Sequence, residues 1–215
     1  MDLVIVSDAF DVMRKDMTLE TIASAKRAEK TIETIVVVEK QPVEYPGCVT
    51  VHYDFPFNYH KCMNLGIQST KGNYFAICNN DLIFYYDWAT KIVEAMGTEY
   101  GSASPFAHNV HVQFWGELKH NIEGYDARSI IAGWCIILKR ETYEKIGKLH
   151  EGVRFWYSDN IYGEQLKKAG IKHILVHNAR VDHLESKTLF AVSHQDLTHD
   201  QLENYRKAYA EIWNS

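Results

Sequence analysis

The tripeptide Asn79-Asn80-Asp81 stands between two apolar runs, Tyr74-Phe75-Ala76-Ile77-Cys78 and Leu82-Ile83-Phe84. A carboxylate at the exit of a buried strand is costly unless a polar partner compensates it, and a metal ion or a phosphate group is the simplest such partner. The same tripeptide is also good turn chemistry between two apolar segments, so its surroundings must decide. Three more acidic residues, Asp8, Glu39 and Asp54, fall at or just after the ends of other short apolar runs. Four carboxylates from four strands gathered on one sheet edge would suit a cation or a nucleotide.

The elements that must position them can be read from periodicity. Leu3 to Ser7, Thr34 to Val38 and Val49 to Tyr53 are short β-branched-rich runs, with a helical stretch from Thr18 to Lys30 after the first and Pro42 and Pro46-Gly47 before the third. Asn58 to Ser69 reads as a helix with Asn58 as N-cap, feeding a strand over Tyr74 to Cys78. Tyr86 to Met96 places Trp88, Ile92, Val93 and Met96 on one helical face. Strands are expected near Gly101 to Ser104, Val110 to Trp115 and Ile130 to Leu138, then a helix from Asp159 to Ala169 ending at Gly170. Lys172 to His177 with Arg180 to His183 reads as strand and turn. The tail has a capping box, Thr198 with Gln201, followed by a stripe of Leu202, Tyr205, Tyr209 and Ile212. Alternating strands and helices in the first hundred residues imply a single α/β domain with a Rossmann-like, mostly parallel central sheet flanked by helices, whose ligands bind beyond the carboxyl ends of the strands.

Composition narrows the class. A 46% hydrophobic and 24% charged chain of 215 residues has enough apolar material for one packed core and excludes disordered or low-complexity architectures. Cys48, Cys62, Cys78 and Cys135 form no CxxC pair and read as reduced thiols, and the N-terminus lacks the pattern of a signal peptide. The expectation is a soluble cytoplasmic protein without membrane insertion. A net charge of -5 with intermixed signs weighs against a nucleic-acid-binding surface.

Three ordered blocks carry a family resemblance. Asn64-Leu65-Gly66-Ile67, Lys71-Gly72-Asn73-Tyr74 and Asn79-Asn80-Asp81 form the first. Ala132-Gly133-Trp134-Cys135 with Lys139-Arg140-Glu141-Thr142-Tyr143-Glu144-Lys145-Ile146-Gly147 forms the second, and Tyr157-Ser158-Asp159-Asn160, Leu166 to Gly170 and Val181-Asp182-His183 the third. Together they resemble the GT-A glycosyltransferases, especially the family-2-like group, over roughly residues 1 to 190.

The resemblance implies a GT-A domain in which residues 1–100 form a nucleotide-sugar-binding half, 101–190 an acceptor and catalytic half, and 191–215 a C-terminal helix. It implies a metal-dependent, inverting transfer of a sugar from a nucleotide donor, UDP by default, to a hydroxyl acceptor. Asp81 would be the principal ligand of a divalent cation and His183 a second. An imidazole among oxygens favours Mn2+ over Mg2+. Asn79, where the family often has Asp, and Asn80 would lie against the donor, and Asn64, in the first block, is also assigned to it. Ser7, Asp8 and Glu39 would form the nucleotide pocket. Asp159 would be the general base that takes the proton of the acceptor hydroxyl, while its place at a helix start also suits an N-cap. Gly133, Trp134, Trp156 and Tyr157 could supply an apolar platform for a sugar face, or, for Trp134, core.

The chain lacks a Gln-x-x-Arg-Trp motif, a Walker A loop, a Gly-x-Gly-x-x-Gly fingerprint and a Gly-x-Ser-x-Gly elbow. Two rivals share the broad pattern: a nucleotidyltransferase and a non-catalytic nucleotide- or sugar-binding module. Acceptor identity is left open among a glycan, a small molecule, a protein side chain and a modified nucleic-acid base. The acceptor loops are expected in Phe106 to Arg128 and Leu184 to His199, which carry His108, His111, His120, Arg128, Lys187 and His194.

Overall fold

A computed structural model describes residues 1–184 and 201–214 of the chain. The capping box at Thr198 and nearly all of the second acceptor loop lie outside the described residues.

Leu3, Ile5, Val37 and Cys78 alternate with Val4, Val6, Val38 and Ile77 along their strands, so each strand is apolar on both faces and must be covered on both. The order of elements follows. Strand β1 (Asp2–Ser7) leads into helix α1 (Val12–Ala28), then β2 (Thr34–Glu39), β3 (Val49–His52), α2 (Tyr59–Ile67), β4 (Tyr74–Cys78), β5 (Leu82–Phe84) and α3 (Trp88–Met96). The second half runs β6 (Ser102–Phe106), α4 (His108–Trp115), β7 (Ile122–Glu123), β8 (Cys135–Lys139), α5 (Arg140–Lys145), α6 (Ser158–Ala169) and β9 (His173–His183). Helix α7 (Gln201–Asn214) follows. Residues of α1 and α3 pack on one face of the sheet, and residues of α2 and α6 on the other.

The strand order is β3-β2-β1-β4-β8-β6-β9-β5, with β7 also pairing β9. The first four strands are parallel, as expected. Beyond β4 the sheet is mixed rather than mostly parallel. β8 runs antiparallel to both β4 and β6, β9 is parallel to β6, and β5 and β7 are antiparallel to β9. The sequence hid this because buried parallel and antiparallel strands are equally apolar.

Three local expectations change. Val110 to Trp115 belongs to α4, a helix stopped by Gly116 at φ 62°, although its alternating valines mimic a strand. Its first turn is held by the Ala107 N–H, which donates to His111 Nδ1 at 2.9 Å. The expected strand from Ile130 is confined to Cys135–Lys139, and the preceding residues turn through an Ala127–Ile131 bridge that leaves Gly133 and Trp134 at the strand's entry. Lys172 to His183 is one strand from His173, bulged between Val176 and Arg180, rather than strand and turn. Of the tail stripe, Ile212 is buried while Leu202 and Tyr209 are exposed. Among the described residues, no helix is long and apolar enough to cross a membrane.

Candidate active site

The bulge in β9 sets the first half of the site. It lets the end of the strand leave β6 and pair with β5 in the register Leu82–His183, which brings His183 beside the residue preceding Leu82. The Leu184 N–H donates to the Asp81 carbonyl at 2.8 Å, locking that end. Asp81 Oδ1 and His183 Nε2 lie 3.3 Å apart, with Asp81 only 2% exposed. Neither atom has a hydrogen-bond partner.

Two buried polar atoms without partners cost about 1–3 kcal/mol each. Two donor atoms bonded to one ion at about 2.0–2.2 Å lie about 3 Å apart when adjacent in its coordination sphere, close to the separation here. An oxygen and an imidazole nitrogen also form a suitable donor set for a Mn2+-like cation. The pair therefore fits a divalent metal as two of its ligands. Among the described residues, no group of three or more His, Cys, Asp or Glu side chains is gathered for one ion, so the remaining positions would fall to donor phosphate oxygens or water.

His183 is oriented by its neighbours. The Trp134 ring stacks on it at 5.2 Å with an 18° interplanar angle, and His111 packs on Trp134 at 5.8 Å. His111 is fully buried, and desolvation lowers its pKa to about 4, so it is neutral at physiological pH. Asn109 Nδ2 donates to the His183 carbonyl. Trp134, at 8% exposure, is thus core that braces a candidate ligand rather than an open platform.

The second half is built on the first turn of α6. Tyr157, at φ 68°, makes the turn into the helix, and Asp159 lies one residue beyond the first helical position. Its Oδ1 accepts the Asn160 N–H at 3.0 Å. Burial raises its pKa above the usual carboxylate value, against smaller lowering effects from backbone amides and Arg128. Gly133 packs directly against it, since a Cβ there would lie 3.0 Å from Asp159 Cβ and 3.3 Å from Oδ2.

Tyr59 joins the two halves. Its hydroxyl donates to the Gly133 carbonyl at 3.0 Å. Desolvation raises its pKa most, followed by Cys78 and Cys135 and then by the charges of both Asp81 and Asp159, so one buried phenol senses both carboxylates. Sequence reasoning passed over Tyr59, whose only signal is its place immediately after the Asn58 cap.

The strand-end residues form a third group. Ser7 Oγ contacts Thr18 Oγ1 at 2.9 Å and Tyr45 OH at 3.2 Å, and Asn80 Nδ2 donates to Thr18 Oγ1 at 2.9 Å. Glu39 is fully buried, with Oε1 accepting the Ala9 and Gln41 N–H groups and Oε2 accepting the Tyr45 hydroxyl. Asp8 Oδ1 accepts from Gln41 Nε2 at 2.8 Å. The Asn79 N–H donates to the Trp134 carbonyl, leaving its partly exposed side chain beside the Asp81–His183 pair in sequence and strand position. Ser7, Asp8, Glu39 and Asn80 are thus brought together. Asn64 is not: its amide is taken up by Tyr143, the Leu149 backbone and Glu151, so it ties α2 to the loop after α5. Asp54 is exposed. Trp156 and Tyr157 are 39% and 36% exposed, open to a ligand. A separate cavity of about 510 Å³, lined by Lys145, Lys148, His150, Lys168 and Glu211 among others, includes none of these residues.

No protein-family model and no curated protein matches the chain. Solved structures do. A structure of GalNAc-T7 with UDP, GalNAc and Mn2+ superposes with a TM-score of 0.72 at 14% identity, covering 98% of this chain and 47% of that one. A mutant Drosophila β1,4-galactosyltransferase 7 in complex with manganese, UDP-Gal and xylobiose gives 0.60 at 14% identity, with 94% and 79% covered. The chain spans about half the length of the GalNAc-T7 structure. The fold of this chain is therefore the GT-A fold that these glycosyltransferase structures share.

Proposed function

We propose that the protein is a metal-dependent, inverting glycosyltransferase that moves a sugar from a nucleotide donor, UDP by default, to a hydroxyl acceptor. The observation that carries this reading is the buried pair of Asp81 Oδ1 and His183 Nε2, 3.3 Å apart, with no hydrogen bond to either atom. Asp81 and His183 would hold a divalent cation, which would supply positive charge toward a departing diphosphate. Neighbours of the same fold are bound to UDP or a UDP-sugar and manganese, which supports the same chemistry here.

The remaining roles fall to the chain's own residues. Asp159, held by the Asn160 amide through Oδ1, presents Oδ2 to the acceptor hydroxyl and takes its proton as the oxygen attacks. The raised pKa makes this carboxylate a stronger base than one in water. Ser7 and Asp8 border the nucleotide. Glu39 acts one step away, by fixing the Ala9 and Gln41 amides of the loops that enclose the base. Trp134 holds the His183 ring in place, and Tyr59 fixes Gly133 against Asp159.

A panel of nucleotide sugars assayed for Mn2+-dependent hydrolysis tests the proposal. Release of the nucleoside diphosphate from at least one of them, abolished by chelation, is expected. No release from any donor would refute the transferase reading, and donor binding without release would favour a binding module.

A further inference from the structure

Beside the catalytic carboxylate begins a row of aromatic rings, three of them exposed and one, Tyr205, partly buried, that the proposed chemistry does not use. Tyr157 packs against Tyr205 with ring centroids 5.1 Å apart, Tyr205 against Tyr209 at 6.2 Å, and Tyr209 against Trp213 at 6.2 Å, each pair tilted. Tyr209 and Trp213 are 41% and 45% exposed. The row has a direction. Helix α7 lies along α6 with Tyr205 at the Tyr157 end, Trp213 Nε1 donating to Glu164 Oε2 in the middle of α6, and Lys168 Nζ donating to the Ile212 carbonyl near its end. The rings therefore lead away from Asp159 along the α6–α7 seam.

Burial accounts for only part of the arrangement. The face of α7 turned to the core is supplied by Gln201, Ala208 and Ile212, with the partly buried Tyr205 packed against the Val153 and Ile161 cluster, while Tyr209 and Trp213 face outward. The first ring is held at φ 68°, a conformation costly for a tyrosine, and that turn carries it onto Tyr205.

We propose that this row is an extended acceptor subsite for an oligosaccharide, which makes the acceptor a glycan chain several sugars long; the assignment rests on the glycosyltransferase reading above. Tyr205, Tyr209 and Trp213 recur at the i, i+4 spacing of α7, which sets their rings 6.2 Å apart on one face with tilts of 50° and 42°, and Tyr157 continues the line at 5.1 Å and 31°, a ladder that successive sugars of a chain can meet one by one. Sugars present apolar C–H faces to aromatic rings and hydroxyls to polar edges. Those edges are present in Glu164, Lys167 and the tyrosine hydroxyls. Along the row Lys167 is paired with Glu164 at 2.8 Å and Lys207 with Glu203 at 2.7 Å, so much of its charge is balanced within the two helices, which favours a neutral, hydroxylated ligand over a polyanion such as single-stranded nucleic acid.

The full chain is titrated calorimetrically, without donor, with cello-, xylo-, chito- and manno-tetraose and with the matching monosaccharides. At least one tetraose should bind roughly tenfold or more tighter than its monosaccharide, and Tyr209→Ala and Trp213→Ala should each erase that gain while circular dichroism shows the fold intact. The proposal is overturned if no tetraose gains over its monosaccharide, if the gain survives Tyr209→Ala, or if an oligonucleotide binds through these rings instead. Donor hydrolysis by the wild-type protein, measured separately, reports on the transferase reading. Hydrolysis without a tetraose gain refutes only the track, and a tetraose gain without hydrolysis refutes only the transferase.

Discussion

Replacing Gly133 with alanine adds one methyl group directly against the proposed base. That methyl would lie 3.0 Å from Asp159 Cβ and 3.3 Å from its Cγ and Oδ2, a few tenths of an ångström inside ordinary contact. Gly133 is not among the residues at positive φ, so alanine suits its backbone and the steric contact is the whole effect. The pressure has few outlets. Asp159 is pinned by the Asn160 amide, and the Gly133 carbonyl is held by the Tyr59 hydroxyl. Overpacking of this kind costs about 1–3 kcal/mol, and shifting a catalytic group by 1 Å costs about 10²-fold in rate. A displacement of a few tenths of an ångström should therefore lower kcat about tenfold. For a domain of this size, about 1 kcal/mol corresponds to a fall in Tm of roughly 2–4 °C. The assay is steady-state transfer with varied donor, paired with calorimetric UDP binding. The expected result is a tenfold loss in kcat with donor Kd unchanged. Unchanged kcat in a variant whose Tm falls would refute the placement of Asp159 as base, and an equal loss of donor affinity would show that the segment serves the nucleotide instead.

Asp159→Asn should lower kcat by about 10²–10⁴-fold while sparing donor binding, measured by single-turnover transfer and calorimetry. Because burial raises the folded pKa of Asp159, its ionised form opposes folding at neutral pH, and the asparagine variant should unfold at the same or a higher temperature than wild type. The acid limb of kcat against pH should lie above the ordinary carboxylate pKa of 3.8, with activity lost as pH falls through it. His60, His111 and His173 are buried neutral, with pKa values lowered by desolvation from 6.5 to about 4, 4 and 3. The unfolded chain then binds more protons below about pH 6.5, so stability is fully present above that value and is lost as pH falls toward 4. The upper bound is about 3 kcal/mol each for His60 and His111 and about 5 kcal/mol for His173, of which about 2 kcal/mol per histidine falls above pH 5; urea unfolding at pH 7 and pH 5 should show it, with His173→Asn flattening the slope. A midpoint independent of pH in that range would contradict the burial of these rings.

Asp81 at a strand exit and Asp159 at a helix start were visible as positions from local pattern, while the choice of His183 and the role given to Asp159 came from the family resemblance; the structure sets Asp81 and His183 side by side. What decides their geometry was not legible in the sequence. The bulge between Val176 and Arg180 that delivers His183 to Leu82 depends on pairing with β6 and β5, and no local signal announces it. Val110 to Trp115 resembled a strand because Val110 and Val112 alternate with polar residues, yet the Ala107–His111 hydrogen bond and Gly116 make it a helix. Asn64 fell within a recognisable block, but its amide is saturated by the loop over residues 143–151, a partner 79 or more positions away. Glu39 sat at the expected strand end, while its use by two backbone amides and Tyr45 could be seen only in three dimensions.

The central claim is that Asp81 and His183 jointly hold a divalent metal. Calorimetric titration of the full chain with Mn2+ in the presence of UDP, repeated for Asp81→Asn and His183→Gln, tests it without relying on turnover. Saturable Mn2+ binding by the wild type is expected, weakened at least about tenfold by either substitution, with unfolding temperatures showing both variants folded. Equal Mn2+ affinity in the wild type and both folded variants would contradict it.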